Sequence, residues 1–238
     1  ARKSAGHCDV QKRHNEAMKI CDRIQLVPLG VQARGLLLQT TVLPKLVYDC
    51  MVAPPSKKTL KTWRSHIARA MWGCGARFRR DEVLFTRFGR AHALDPCLAV
   101  VTRSMQCARR MLMRYPSNWN MWSDNLEAIG GSQSNMQGPA RQIMRAVRTL
   151  GWAWRNPDTL VTESGHEVSL VMEDESLFQH MIRERLRDVS WRNAARRRED
   201  MRGLDAGLDR DATLKLYNRV KGHDRVILQK LFYWVCAL

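Results

Sequence analysis

Apolar residues recur along this chain at intervals of three and four, the spacing that gathers them on one face of an α-helix. From Asp9, a residue suited to a helix N-cap, Ala17, Ile20, Cys21 and Ile24 fall on one face while Lys12, Arg13, Lys19 and Arg23 spread over the rest. This pattern predicts an amphipathic helix broken at Pro28-Leu29-Gly30. A more apolar helix is predicted through Leu36, Leu37, Leu38, Val42, Leu46 and Val47, kinked by Pro44 and central to the core. Pro54-Pro55 ends that stretch, and Ser56 can cap the next helix. There Leu60, Trp63, Ile67 and Met71 recur at i, i+3, i+7 and i+11 before Gly73, and Lys57, Lys58, Lys61, Arg64 and Arg69 take the other face.

Residues 75–80 are Arg-rich and read as a loop, and a short helix over 82–88 precedes the start signal Asp95-Pro96. Leu98, Val101, Met105, Ala108 and Leu112 then make one stripe, with Arg103, Arg109, Arg110 and Arg114 largely outside it. A short helix with Trp119, Trp122 and Leu126 leads into residues 130–138, whose Gly, Ser, Gln and Asn content is that of a flexible connector. The expected organisation is therefore a basic helical domain over 1–129, a linker over 130–138 and a helical extension over 139–238. In the extension, Pro139 opens a helix with Ile143, Val147, Leu150 and Trp154 on one face. The period then changes to two: residues 159–163 and 167–172 flank Ser164-Gly165-His166, which predicts a β-hairpin. Glu173-Asp174-Glu175 starts a long helix with Phe178, Ile182, Leu186 and Val189 inside, and two more helices are expected over 209–221 and from 224 onward. The fold class is mainly α: a helical bundle followed by a helical extension with one small β-hairpin.

Charge narrows the choice of partner. Forty Lys and Arg against 23 Asp and Glu give a net charge of +17, more than solubility requires, which points to a polyanion. Residues 1–115 carry 22 basic and 7 acidic side chains, net +15, whereas residues 116–238 carry 18 and 16, net +2. Basic faces on amphipathic helices are what contact with a phosphate backbone requires, although their plainer role is solvation of a surface. The candidate nucleic-acid contacts are Lys57, Lys61 and Arg64, which form one ridge, Lys58 beside them, Arg77, Arg79 and Arg80 in the loop that extends the ridge, and Arg109 and Arg110. The run 192–198 reads equally as a solvated helix end with i,i+4 pairing or as a binding patch.

Other chemistry is sparse. Seven cysteines without a C-x-x-C pair suggest neither a disulfide framework nor a zinc site, and Cys8 with His7 and His14 lacks a second pair of ligands. Reduced thiols place the chain inside the cell. No apolar run reaches the roughly 18–20 residues that span a bilayer, so no membrane partner is expected. The His and Ser residues form no recognisable triad order or nucleophile elbow. Glu173-Asp174-Glu175 suits the positive end of a helix dipole, and Asp209 with Asp211 suits a cap and first turn. The eight Trp could stack on bases, but most of them lie on apolar faces. Without an initiator Met, and stopping within an apolar helical pattern, the chain reads as an excerpt of something longer.

The stretch Arg23-Ile24, Leu26, Leu29, Arg34, Leu37, Thr41, Val42-Leu43-Pro44, Leu46 and Tyr48 resembles the segment after the catalytic palm in reverse transcriptases of non-LTR (LINE-type) retrotransposons. There a helix carrying a Leu-Pro-x-Leu-x-Tyr-Gly pattern enters the thumb; here Asp49 stands where Gly is usual. Ala91-His92-Ala93-Leu94-Asp95-Pro96, Leu150-Gly151-Trp152 and the run 209–214 look like the linker that follows the thumb. The resemblance covers most of the chain and rests on helix-packing patterns, not on a catalytic signature. It implies a thumb-like bundle that holds a template–primer RNA/DNA duplex by its backbone, a palm domain upstream in the same polyprotein, and a nuclear site of action. Mg²⁺ would belong to that palm, where an Asp-Asp pair holds two ions about 4 Å apart; this chain has no Asp-Asp pair, so it is expected to be non-catalytic by itself. Two other classes compete with this reading. One is a helical scaffold that binds an acidic protein partner, and the other is a nuclease, which would need converging carboxylates.

Overall fold

The computed structural model describes residues 5–72, 82, 85, 93–118, 120, 138–207 and 219. It is mainly helical, with a small antiparallel sheet on the C-terminal side. Helix α1, Ala5–Leu26, begins four residues ahead of Asp9, which lies within it and does not cap it. Its buried face carries Ala17, Cys21 and Ile24, as the spacing predicts, and packs on α4, Lys57–Trp72. Ser56 Oγ caps α4 by accepting the Thr59 amide at 3.0 Å, and Trp63, Ile67 and Met71 turn into the core.

The predicted apolar helix is realised in three pieces: α2, Val31–Leu37, a π-helical segment, Leu38–Val42, and α3, Leu43–Val47. Pro44 has no N–H, and its ring would meet the carbonyl four residues back, so the α-helical pattern cannot run through it unchanged. The wider π turn just ahead of Pro44 accommodates this. Thr40 and Thr41 donate their hydroxyls to the Leu36 and Leu37 carbonyls at 2.9 and 2.5 Å. The expected central position holds only for the later pieces: Leu38, Val42, Leu43, Leu46 and Val47 are buried, whereas α2 buries no residue. Leu36 is instead one of several large apolar side chains at the surface, together with Leu26, Val27, Leu29 and Val31. At Gly35 the chain lies close on its neighbours, since a Cβ there would come within 3.3 Å of Met71 Sδ.

Helix α5, Pro96–Arg114, is capped by Asp95, whose Oδ1 accepts the Cys97 amide at 2.9 Å. It joins two cores. Val100 belongs with α1, α3 and α4, while Val101, Met105, Ala108 and Leu112 pack with Ile143, Val147 and Leu150 of α6, Gly138–Leu150. Division of the chain at 130–138 therefore does not coincide with division of its cores, because α5 precedes that stretch and packs on α6, which follows it.

Helix α6 stops at Leu150. Gly151, at φ +67°, donates to the Arg148 carbonyl at 3.0 Å and Trp152 to the Val147 carbonyl at 3.1 Å, which is the Schellman closure that a left-handed glycine permits. Trp154, expected on the helix, lies instead in a strand, β1, Ala153–Asn156. The predicted hairpin is present as β2, Thr159–Val161, and β3, Glu167–Ser169, with Leu160 opposite Val168, and β1 adds a third antiparallel strand to β2. Leu160, Val168 and Leu170 join the second core with Phe178 and Ile182 of α7, Glu175–Arg197. Asp174 caps α7 by accepting the Ser176 and Leu177 amides at 2.8 and 3.1 Å. A small third cluster, Trp191, Ala194, Met201 and Leu204, closes the far end of α7. Residues 130–137 and the helices expected over 209–221 and from 224 onward lie outside the described residues, apart from Arg219. So does the helix expected over 82–88, apart from Glu82 and Phe85, and so do Trp119, Trp122 and Leu126.

Candidate nucleic-acid interface

The solvent face of α4 carries the densest part of the predicted site. Lys57, Lys58 and Lys61 are exposed, and Lys58, Lys61, Thr62, Ser65 and Arg69 form one exposed arc along the helix. From Lys57 to Arg69 this spans about 18 Å at 1.5 Å per residue. No acidic residue occurs in α4, so two lysines occupy its first turn, where the helix dipole disfavours cations. None of Lys57, Lys58, Lys61 and Arg69 has a carboxylate partner among the described residues.

Arg64 departs from the expected ridge. Its side chain is only 17% exposed and makes an ion pair with Asp95 at 3.0 Å, with its guanidinium 5.2 Å above the Phe85 ring. At 100° per residue, position 64 falls at the margin of the arc, next to Leu60 and Met71, within reach of the α5 cap. Its role in the described structure is to tie α4 to the start of α5. Trp63 is 3% exposed, with the His14 ring edge-on at 4.8 Å, so it is a core residue and not a stacking platform. Burial holds the His14 imidazole below its ordinary pKa. At the edge shared with α1, His66 Nδ1 lies 3.7 Å from Asp22.

Arg109 and Arg110 diverge on α5. Arg110 is exposed, whereas Arg109 is half-buried, its Nη1 enclosed without a hydrogen-bond partner. Its charge contributes to lowering the Asp174 carboxyl, which the Ser176 hydroxyl and the Leu177 and Ser176 amides lower more strongly. Arg110 aligns with Arg103 and Arg114 at i, i+7 and i+11 in one exposed row, and α5 also has no acidic residue. Arg77, Arg79 and Arg80 lie outside the described residues.

A further row was not among the predicted contacts. Arg141, Arg145 and Arg148 are exposed at i, i+4 and i+7 on α6, again without an acidic residue. The signal was present in the spacing, but the near-neutral charge of residues 116–238 concealed it. That neutrality comes from elsewhere. Within residues 116–238 Arg155 pairs with Glu167, Arg185 and Arg192 with Glu163, and Arg187 with Glu184 and Asp188, while Arg198 pairs with Glu82 outside that range. Hydrogen bonds from Arg192 and Arg185 pull the Glu163 carboxyl down to about 2. Within the run 192–198, Arg192 and Arg198 are paired, while Arg196 and Arg197 are exposed.

Nothing described resembles an activated nucleophile. Burial pushes the Cys21 thiol up to about 12 and the Cys50 thiol up to about 11, which keeps both protonated. Among the described residues, no group of three His, Cys, Asp or Glu could hold a metal ion, and no helix is long and apolar enough to cross a membrane. No protein-family model matches the chain, and no curated protein or solved structure is significantly similar to it.

Proposed function

We propose that this chain is the part of a retroelement RNA-directed DNA polymerase that holds the template–primer duplex by its backbone, with the catalytic palm and its Mg²⁺ elsewhere in the same polyprotein. The observation that carries the proposal is the α4 arc, in which Lys57, Lys58, Lys61 and Arg69 are exposed on a helix without acids and have no carboxylate partner among the described residues. Such an arc repels itself and gains its compensation from an external polyanion. A phosphate backbone fits because its charge is regular and its contacts need no base readout. The exposed apolar side chains of Leu26, Val27, Leu29, Val31 and Leu36 are, on this proposal, the seat of the palm.

The test is a salt titration of duplex and hybrid oligonucleotides of unrelated sequence. Each phosphate contact removed lowers the log–log slope by roughly 0.7–0.9, so substituting Lys57, Lys58, Lys61 and Arg69 by Ala together should flatten it by about three units. A wild-type chain with no steep salt dependence on any duplex would sink the proposal. A second reading, a helical scaffold for an acidic protein, is favoured by the same apolar patch, because Arg23, Arg34 and Lys45 accompany it and no acid occurs between Asp22 and Asp49. On that reading Leu26→Glu with Leu36→Glu abolishes partner binding and leaves oligonucleotide affinity unchanged.

A further inference from the structure

Several arginines around the second core are held by carboxylates, but a row on α6 is not. Arg155, Arg185, Arg187 and Arg192 all meet carboxylates, whereas Arg141, Arg145 and Arg148 on α6 are exposed and meet none among the described residues. Arg148 lies in the last turn, where the helix dipole favours a cation, but Arg141 lies in the first turn, where it is disfavoured and no acid offsets it. Arg141 and Arg145 also repel each other at i,i+4. The buried face of the helix, Gln142, Ile143, Ala146, Val147 and Leu150, points the row directly away from the core. This arrangement works against the helix itself, so its use lies outside the folded chain.

We propose that Arg141, Arg145 and Arg148 form a second phosphodiester-binding surface, on a different core from the α4 arc, so that one chain grips nucleic acid at two places. The inference rests on the nucleic-acid reading above. The row extends about 10 Å along α6, and a strand of duplex presents one phosphate per about 3.4 Å of axis, so three guanidinium groups can engage phosphates of a single strand. The row is made of arginine throughout, and its planar fork can take two oxygens of one phosphate where lysine offers a point charge.

The experiment compares the full chain with three variants in salt titrations against a duplex oligonucleotide: the triple R141Q/R145Q/R148Q, the triple R141K/R145K/R148K, and the alanine variant of the α4 arc. The Gln triple should lower the log–log slope by about two to three units with the arc intact, and the Lys triple should keep most of the slope. An unchanged slope in the Gln triple, with the arc variant flattened, overturns this inference alone. Equal loss in the Gln and Lys triples also overturns it, because the loss would then not come from charge. Absence of steep salt dependence in the unaltered chain would instead reject the nucleic-acid reading itself. If the Gln triple loses binding to polyglutamate but keeps its full duplex affinity, the row takes an acidic polypeptide and the proposal is wrong.

Discussion

Trp63, Arg64 and Glu163 show how much a single position depends on what it touches. Trp63 was open to two uses from its sequence, and its burial against His14 assigns it to packing. Trp63→Ala is expected to cost about 3–5 kcal/mol in denaturant unfolding, the usual range for a large core truncation. Arg64 sits one helical turn from Lys61, yet it is engaged with Asp95 and Phe85. Arg64→Ala should therefore lower stability measurably, whereas Lys61→Ala should stay within about ±0.5 kcal/mol, as exposed substitutions do. Glu163 gives a pH dependence of definite sign. Its carboxyl is lowered from 4.5 to about 2 in the folded chain, so its contribution is present above about 4.5 and is lost as pH falls toward 2. Unfolding curves of Glu163→Gln should show a shallower loss of stability across that window than those of the unaltered chain. An identical pH profile would show that the Arg185 and Arg192 contacts do not persist in solution.

At the scale of elements, glycine, proline and caps decide where regular structure stops. Asp95-Pro96 and Asp174 start α5 and α7 as their chemistry predicts, because an aspartate accepts the free amides of a first turn wherever it is placed. The end of α6 was harder to foresee: Trp154 continues the apolar spacing of Ile143, Val147 and Leu150, but Gly151 turns the chain left-handed and sends Trp154 into β1. A Cβ at Gly151 would meet Arg185 Nη2 at 2.8 Å, and Arg185 Nε donates to the Leu150 carbonyl at 2.6 Å. Gly151→Ala is thus expected to cost at least the roughly 1–2 kcal/mol of a left-handed non-glycine residue. Thermal unfolding beside an alanine substitution at exposed Ser65 would check it.

For the whole molecule, α5 is the joint between the cores. Ending the chain after residue 115 would strip Val101, Met105, Ala108 and Leu112 of their partners on α6. Such a piece, unlike the full chain, is expected to unfold without a cooperative transition in urea, followed by circular dichroism. Catalysis gives a separate test. The chain contains no Asp-Asp pair, so a pure preparation should not extend a primer with any template or divalent ion. Incorporation of even one nucleotide would overturn the proposal that catalysis lies outside this chain.

The mainly helical class, the hairpin at 159–169, the caps at Ser56, Asp95 and Asp174 and the buried faces of α1, α4 and α5 were determined by sequence alone, whereas the start of α1 ahead of Asp9 was not. Periodicity and local hydrogen-bonding chemistry act over a few residues and need no distant partner. The exposure of α2, the third strand, the sharing of α5 between two cores and the sorting of arginines into paired and free were decided only by tertiary structure. Whether Leu36 is covered, or Arg64 finds Asp95, depends on residues far away along the chain. Charge illustrates the difference most clearly. A count over residues 116–238 gives near neutrality, but ion pairs form between neighbours in space, and those around Glu163 do not include Arg141, Arg145 and Arg148, which are exposed without a carboxylate partner among the described residues.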